Sequence, residues 1–232
     1  MTPSYKQALI VGAGSGLSAS LARLLSEKGL GISLAARAPK GLAELCAETG
    51  AGSYRCDASS REDVAQLFTA LESDGATPDV VIYNPSARVR GPFLEIDQEG
   101  VERALLITSY GGFLVAQEAA KRMVPAGQGA ILFTGASASV KGYPQSASFA
   151  MGKFALRGLA QSIARELQPK GIHVGHFVID GAIRNPGRSE PADNPDSMLD
   201  PDAIARSYWD LLAQDRSAWT WEVELRPWVE PF

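Results

Sequence analysis

Short apolar runs alternate with amphipathic stretches along the chain. The apolar runs have the length of buried strands and cover residues 8–11, 31–35, 53–56, 80–83, 130–133, 173–179 and 221–225. Between them, apolar residues recur with helical spacing, as at Val64, Leu67 and Leu71. Strands that alternate with helices form a parallel sheet with helices on both faces. The pattern therefore predicts an α/β fold in one domain over residues 1–232, with a doubly wound, seven-stranded parallel sheet flanked by helices.

Residues 184–200 depart from this alternation. They contain three prolines, several charged residues and almost no apolar residue that would anchor them to a core. Loops of this length without secondary structure are typically functional lids or disordered segments. We expect this segment to be mobile without ligand and to close over a site. A surface insertion without a role is the alternative.

Length, charge and cysteine content exclude several classes of protein. A chain of 232 residues is ordinary for one α/β domain, and its formal net charge of −4 argues against nucleic acid or an anionic membrane as a partner. No apolar run approaches the roughly 20 residues of a membrane-spanning helix, and residues 1–7 lack the apolar core of a signal peptide. The only cysteines, Cys46 and Cys56, do not have metal-ligand spacing. We expect a cytoplasmic protein without a metal.

A glycine-rich turn follows the first predicted strand directly. Gly12, Ser15, Gly16 and Leu17 lie between this strand and a helix that carries Leu21. Glycines allow a tight turn and a close approach of the backbone to a pyrophosphate, whose charge the helix N-terminus stabilises. The turn therefore predicts a bound nucleotide, whose pyrophosphate would be cradled by Gly12, Ser15, Gly16 and Leu17. Methyltransferases use a related turn, so the class of cofactor depends on other residues.

The end of the second strand favours one class of dinucleotide. Folds that prefer NAD place a carboxylate here to accept the ribose 2′-hydroxyl, whereas an arginine accommodates the 2′-phosphate of NADP. Here Ala36 and Arg37 offer no acid and one cation. We therefore expect NADP rather than NAD, with Arg37 on the 2′-phosphate. A solvated arginine without a ligand is the alternative.

With these residues the chain resembles the short-chain dehydrogenase/reductase family over nearly its whole length. Gly12 and Gly16 match the family's glycine motif, but Ser18 replaces its last glycine. Asp57 matches the family's adenine-binding aspartate, and Asn84 matches the second asparagine of its Asn-Asn-Ala-Gly turn. The resemblance implies a Rossmann fold, a bound dinucleotide and a small-molecule substrate that is reduced at a carbonyl or oxidised at an alcohol.

The resemblance also indicates the far end of the cofactor site and the assembly. Asp180 and Gly181 replace the family's proline–glycine turn, and Ile183 lies where a backbone amide usually meets the nicotinamide carboxamide. Because the family is usually dimeric or tetrameric, we expect a homodimer or homotetramer. Aromatic crowding near the C-terminus suits a subunit interface, or a tail packed on its own core; the residues are Trp219, Trp221 and Trp228.

The family's catalytic residues are only partly matched. The family uses a tyrosine to transfer the proton and a lysine four residues later to hold the nicotinamide ribose and lower the tyrosine pKa. Here these positions hold Phe149 and Lys153, which helical spacing places on one face. Phenylalanine has no exchangeable proton, so it cannot act as a general acid or base. The family's serine corresponds to Ser137, with the exact offset between Ala136 and Ser137, and its asparagine corresponds to Thr108. This matches an atypical subgroup with phenylalanine in place of tyrosine.

Two interpretations of the missing tyrosine are open. In the first, hydride transfer is retained, with Lys153, Ser137 and Tyr143 as the catalytic residues. Tyr143, six residues before Phe149, is then the first candidate for the proton donor, and Lys153 or a bound water are others. In the second, the protein binds the dinucleotide without redox chemistry, as a sensor or an assembly partner. We favour the enzyme, with an unknown substrate.

Other polar residues are assigned structural roles. His173 and His176 have no neighbouring carboxylate in the sequence with which to build a triad, so we expect core or strand-edge histidines. Glu222 and Glu224 alternate with apolar residues, as on a half-exposed edge strand.

Overall fold

All seven predicted strands are present, each within one residue of its predicted bounds, in a computed structural model that describes residues 5–230. Residues 1–4 and 231–232, which belong to the predicted domain, lie outside the described residues. The strands found in the described part are β1 (Gln7–Val11), β2 (Gly31–Ala36), β3 (Gly52–Arg55), β4 (Val80–Tyr83), β5 (Gly129–Thr134), β6 (Ile172–Ile179), β7 (Ala182–Ile183), β8 (Met198–Leu199) and β9 (Glu222–Leu225). The α-helices found there are α1 (Leu17–Glu27), α2 (Ala43–Thr49), α3 (Arg61–Ser73), α4 (Gln98–Leu105), α5 (Gly111–Ala126), α6 (Ala147–Leu167) and α7 (Pro201–Leu212).

The main sheet has seven parallel strands in the order β3-β2-β1-β4-β5-β6-β9. The chain moves outward from β1 to β3 and then returns to the other side of β1, so that Val11 pairs with Ala35 of β2 and with Tyr83 of β4. In open α/β sheets this reversal opens a crevice at the carboxyl ends of the strands. The predicted doubly wound Rossmann fold is confirmed, and its crevice lies beyond β1 and β4.

The sheet separates two hydrophobic cores. Because side chains alternate across a strand, Leu9 and Ile10 of β1 enter opposite cores. On the Ile10 side, α1 and α7 cover the sheet, and Tyr208 of α7 stacks on Phe177 of β6 with ring centroids 3.6 Å apart. On the Leu9 side, α3, α5 and α6 provide the cover. Burial on both faces explains why the strands read as continuous apolar runs.

Helices α4 and α5 are joined by a π-helical turn that spans Leu106–Tyr110. Such turns are rare in proteins, and those that occur often lie at functional sites. This one contains the buried Thr108, whose Oγ1 accepts a hydrogen bond of 3.0 Å from the Ala87 backbone. A Cβ added at Gly152 of α6 would lie 2.9 Å from the Thr108 Cβ, so the π turn is seated directly on that glycine. At the position where the resemblance implies an asparagine, threonine supports the loop after β4.

Residues 184–200 are tied down at both ends, contrary to the expectation that they lack apolar anchors. Met198 and Leu199 are each only 9% exposed and form β8, which pairs in parallel with β7. The Arg184 backbone N–H also donates to the Leu199 carbonyl. Isolated in the sequence among prolines and charged residues, Met198 and Leu199 did not stand out as core residues. The intervening residues are mostly exposed, so that closure over a site stays a prediction.

The three tryptophans near the C-terminus lie in different environments. The Trp219 ring stacks on His173 with centroids 4.4 Å apart, and Trp221 packs at the edge of the core beside α6. Trp228 is 82% exposed. Two of the three therefore pack against their own chain, which was the alternative to a subunit interface. No helix within residues 5–230 is long and apolar enough to cross a membrane.

Candidate active site

The glycine turn after β1 requires a glycine at its first position. Gly12 has a φ of +78°, in the left-handed region, and a Cβ added there would lie 2.7 Å from the Pro85 ring. The turn ends at Gly16, where α1 begins without an acidic residue in its first turn. The positive end of the α1 dipole is therefore free to receive an anion.

Ser18, which replaces the family's last glycine, connects the turn to the opposite side of the crevice. Its side chain is buried, and its hydroxyl donates to the Gly12 carbonyl at 3.1 Å. The same hydroxyl accepts a hydrogen bond of 2.8 Å from the Asn84 side-chain amide. The sequence marked Ser18 only as a departure from the motif. In the fold, it holds the loops after β1 and β4 together.

One half of the crevice is a cavity of about 580 Å³ beside the ends of β1, β2 and β3. Gly12, Arg37, Asp57 and Asn84 line it. Arg37 and Asp57 are the residues predicted for the 2′-phosphate and the adenine, whereas Asn84 was predicted at the nicotinamide ribose. The Asp57 carboxylate accepts hydrogen bonds from the Ser59 hydroxyl at 2.6 Å and the Ser59 backbone at 3.0 Å. These bonds hold the pKa of Asp57 below its ordinary value, so the carboxylate is charged and fixed in orientation.

The other half is a cavity of about 370 Å³, which shares the wall residues Asn84 and Ser86 with the first. It contains the predicted residues Gly16, Leu17, Ser137, Lys153 and Ile183. The structure thus brings together the glycine turn, the β4 loop, the β5 loop and α6 at one edge of the sheet.

Two predicted residues lie elsewhere. Ser15 is exposed on the glycine turn and lines neither cavity. Tyr143, the first candidate for the proton donor, is 46% exposed and is also absent from both cavity walls. The role of Tyr143 therefore stays a prediction without support from proximity.

Lys153 is the buried cation of the second cavity. It is only 2% exposed, and its ammonium donates a 2.6 Å hydrogen bond to the Thr134 carbonyl at the end of β5. Burial, reinforced by the charge of Arg88, lowers the pKa of Lys153 to about 7. A lysine with such a pKa exchanges its proton near neutral pH, which is the requirement for a general acid or base.

The ring of Phe149 lies on the same wall, one helical turn before Lys153. The Lys153 ammonium is 5.9 Å from the centre of this ring, and the Arg88 guanidinium carbon is only 3.9 Å from it. The sequence did not single out Arg88, because an arginine in a loop is ordinarily solvated. Its contact with Phe149 joins residues 61 positions apart, which no local pattern reveals.

A carboxylate does face His176, contrary to what the sequence suggested. Parallel pairing places His176 of β6 opposite Glu222 of β9, with His176 Nδ1 3.0 Å from the Glu222 carboxylate. His176 Nε2 lies 3.3 Å from the Ser139 hydroxyl, while Arg157 donates two hydrogen bonds to Glu222.

This Ser–His–Glu chain is not an accessible nucleophilic triad. Ser139 and His176 are both 0% exposed. Burial lowers the pKa of His176 to about 4 even though Glu222 opposes the change. The network is a buried support for the floor of the second cavity, since a Cβ at Gly135 would lie 2.4 Å from His176 Nε2. The expectation of core histidines is confirmed, and His173 is likewise 0% exposed.

The residues present fit a dinucleotide. Two adjoining cavities run along the crevice, a helix N-terminus without acidic residues lies between them, and a buried lysine lies in the second. A carboxylate at the adenosine end and polar groups at the other would orient such a ligand in one direction.

Comparison with known proteins agrees with this geometry. The family described as short chain dehydrogenase matches residues 6–189. The curated (21S)-21-acetoxyl-apo-melianone synthase SDR of Melia azedarach is 31% identical over 228 residues, which are 91% of this chain and 84% of that protein. Matches to three curated relatives span 61%, 71% and 84% of those proteins' lengths.

Solved structures are similar over almost the whole chain. A short-chain dehydrogenase from Rhodopseudomonas palustris is 35% identical, with a TM-score of 0.83 over 97% of this chain and 100% of that one. An alcohol dehydrogenase from Thermococcus sibiricus, complexed with 5-hydroxy-NADP, has a TM-score of 0.86 over 97% of this chain and 98% of that one. At 23% identity, this second likeness concerns the fold.

Proposed function

This chain belongs to the short chain dehydrogenase family, and we propose that it is an NADP(H)-dependent oxidoreductase that interconverts a carbonyl and an alcohol of a small molecule. The observation that carries the proposal is the buried Lys153, whose ammonium lies in the second cavity of a crevice suited to a dinucleotide. Within residues 5–230 Lys153 has no carboxylate partner, and a buried lysine of this kind is unfavourable for stability, so its presence is best explained by chemistry.

The cofactor would be held by residues along the whole crevice. Gly12, Ser15, Gly16 and Leu17 would bind the pyrophosphate, Arg37 the 2′-phosphate, Asp57 the adenine, Asn84 and Lys153 the nicotinamide ribose, and Ile183 the carboxamide. When bound, the nicotinamide supplies or accepts the hydride. The preference for NADP rests on Arg37 at the cavity mouth and on the absence of an acid at Ala36.

Lys153 is the group best suited to move the proton in place of a tyrosine. Phe149 has no exchangeable proton, whereas the lowered pKa of Lys153 lets its ammonium give up a proton near pH 7. The Ser137 hydroxyl, on the same cavity wall, would orient the substrate oxygen. We place the protein in a subgroup of the family with phenylalanine at the tyrosine position, and we expect a cytoplasmic homodimer or homotetramer.

A pH–rate profile tests the role of Lys153. For carbonyl reduction with NADPH, the acid must carry its proton, so kcat should be constant below about pH 7 and fall above it. The one-atom variant Tyr143→Phe should retain the rate and the profile of the wild type. Loss of turnover in Tyr143→Phe would assign the proton to Tyr143 instead. Tight NADPH binding without turnover on a broad aldehyde and ketone panel would favour the second interpretation, a non-catalytic dinucleotide-binding protein.

A further inference from the structure

The loop after β4 is built to hold one side chain over the second cavity. On one side of Arg88, the Ala87 backbone N–H donates to Thr108 Oγ1 at 3.0 Å. On the other side, the Ser148 hydroxyl accepts from the Val89 N–H at 3.0 Å and donates to the Val89 carbonyl at 2.9 Å. Both neighbours of Arg88 are therefore fixed to the helical wall of the site, which restricts where Arg88 can point.

The guanidinium of Arg88 lies over the Phe149 ring. A guanidinium carbon 3.9 Å from the ring centre is in van der Waals contact and receives cation–π stabilisation. This contact engages none of the guanidinium N–H donors in a hydrogen bond, so they stay available. Among residues 5–230, no side-chain or backbone acceptor is bonded to these donors.

The charged side chains that line the second cavity are positive. Arg184, Arg188 and Lys153 line the same cavity as Arg88, and no aspartate or glutamate among the described residues lines it. Arg184 is paired with Asp200 at 3.2 Å, but neither Arg88 nor Arg188 has a carboxylate partner within residues 5–230. Partial removal from water, together with Arg90 and Arg188, lowers the pKa of Arg88, so this arrangement opposes its own charge until an anion enters.

We propose that Arg88, with Arg188 beside it, binds a carboxylate of the substrate. This inference rests on the proposed function, because Phe149 occupies the position next to the reacting group in the family that the chain belongs to. The planar fork of an arginine edge matches a carboxylate with two parallel hydrogen bonds. The cofactor's pyrophosphate belongs at the glycine turn, whose Gly16 and Leu17 line this same cavity, so the substrate anion has to be tested with the cofactor already bound. A cavity of about 370 Å³, shared with the nicotinamide end of the cofactor, limits the substrate to a small carbonyl or hydroxy acid.

In this arrangement Phe149 has a role in substrate binding. Its ring is the platform that orients Arg88, and a phenol hydroxyl at the same position would compete for the anion and for the guanidinium edge. The phenylalanine at the tyrosine position and its contact with Arg88 then belong to one substrate site.

Isothermal titration separates this inference from the proposed function. The probes are benzoate, its neutral isostere benzamide, and inorganic phosphate, each titrated into protein saturated with NADP⁺. We expect the wild type to bind benzoate and not benzamide. Arg88→Met, which keeps a chain able to pack on Phe149, should weaken benzoate binding about ten- to hundred-fold. Arg90→Met removes an arginine outside the cavity wall and should leave benzoate binding unchanged.

Each outcome has one meaning. Equal affinity for benzoate and benzamide in the wild type, or equal benzoate affinity in wild type and a folded Arg88→Met, would overturn the inference. The first comparison needs no variant, so it holds even if Arg88→Met fails to fold. Binding of phosphate but not benzoate would overturn the carboxylate assignment. Failure of the wild type to bind NADP⁺ would instead refute the proposed function.

Discussion

Replacing Lys153 with methionine should stabilise the protein while removing its proposed chemistry. Burial and the nearby Arg88 lower the pKa of Lys153 from 10.5 to about 7. A tenfold change in proton affinity corresponds to about 1.4 kcal/mol, so holding this lysine charged in the fold costs on the order of 5 kcal/mol. Methionine removes that cost and loses the hydrogen bond to the Thr134 carbonyl, which contributes about 1–3 kcal/mol. We expect Lys153→Met to gain about 2–4 kcal/mol at pH 6.

The gain should depend on pH in a defined direction. The unfolded lysine keeps its proton up to its ordinary pKa of 10.5, whereas the folded one releases it above about pH 7. The unfolded state then binds more protons than the folded state, so wild-type stability rises with pH above 7 relative to the variant. Charged or titratable neighbours do not interfere, because Arg88 stays charged and His176, with a pKa of about 4, stays neutral between pH 6 and 9.

Reversible urea unfolding without cofactor, followed by circular dichroism at pH 6, 7, 8 and 9, measures this difference. The advantage of Lys153→Met should be largest at pH 6 and nearly absent at pH 9. Lys40→Met, in an exposed turn, is the matched control and should show no such trend. A Lys153→Met variant less stable than the wild type at pH 6, or an advantage equal at pH 6 and 9, would refute the reasoning.

Three further predictions concern the cofactor site. Gly12→Ala should lower NADPH affinity at least tenfold in a titration and lower the free energy of unfolding by about 1–3 kcal/mol, because a φ of +78° and the Pro85 ring exclude a Cβ. In the control Gly14→Ala, the added Cβ meets no atom within 4 Å, so this variant should bind NADPH normally. Arg37→Ala should cost on the order of 1–3 kcal/mol of NADPH preference over NADH, and equal wild-type affinities for both would disprove the NADP assignment. Limited proteolysis should cut within residues 184–197 and be slowed by NADPH; cleavage that NADPH leaves unchanged would argue against a lid.

The sequence allowed us to predict the structural features that depend on short-range patterns of residues. Each strand of the sheet is a run of apolar residues because both of its faces are covered, and the glycine turn is legible because Gly12 needs a conformation that other residues avoid. These features predicted the fold and the glycine turn, and the matches to the family's motifs predicted several of the residues that line the two cavities.

Contacts between distant residues were not predictable in the same way. Arg88 and Phe149 meet only because the β4 loop is fixed against α6, and His176 meets Glu222 only through the register of β6 and β9. Ser18 follows the same logic, since its partner Asn84 is 66 positions away. A single sequence gives such residues no periodicity, so they read as departures from a motif or as solvated charges.

Transfer of deuterium from NADPH tests the central claim most directly. The wild-type protein would be incubated with NADPH labelled at C4 of the nicotinamide, on either face, and with a panel of small aldehydes, ketones and oxo acids. Mass spectrometry of the products would record the label. We predict an alcohol that carries one deuterium from one face of the nicotinamide only, with oxo acids among the substrates that react. NADPH bound at saturation, with no labelled product from either face across the panel, would contradict the assignment of this protein as an oxidoreductase.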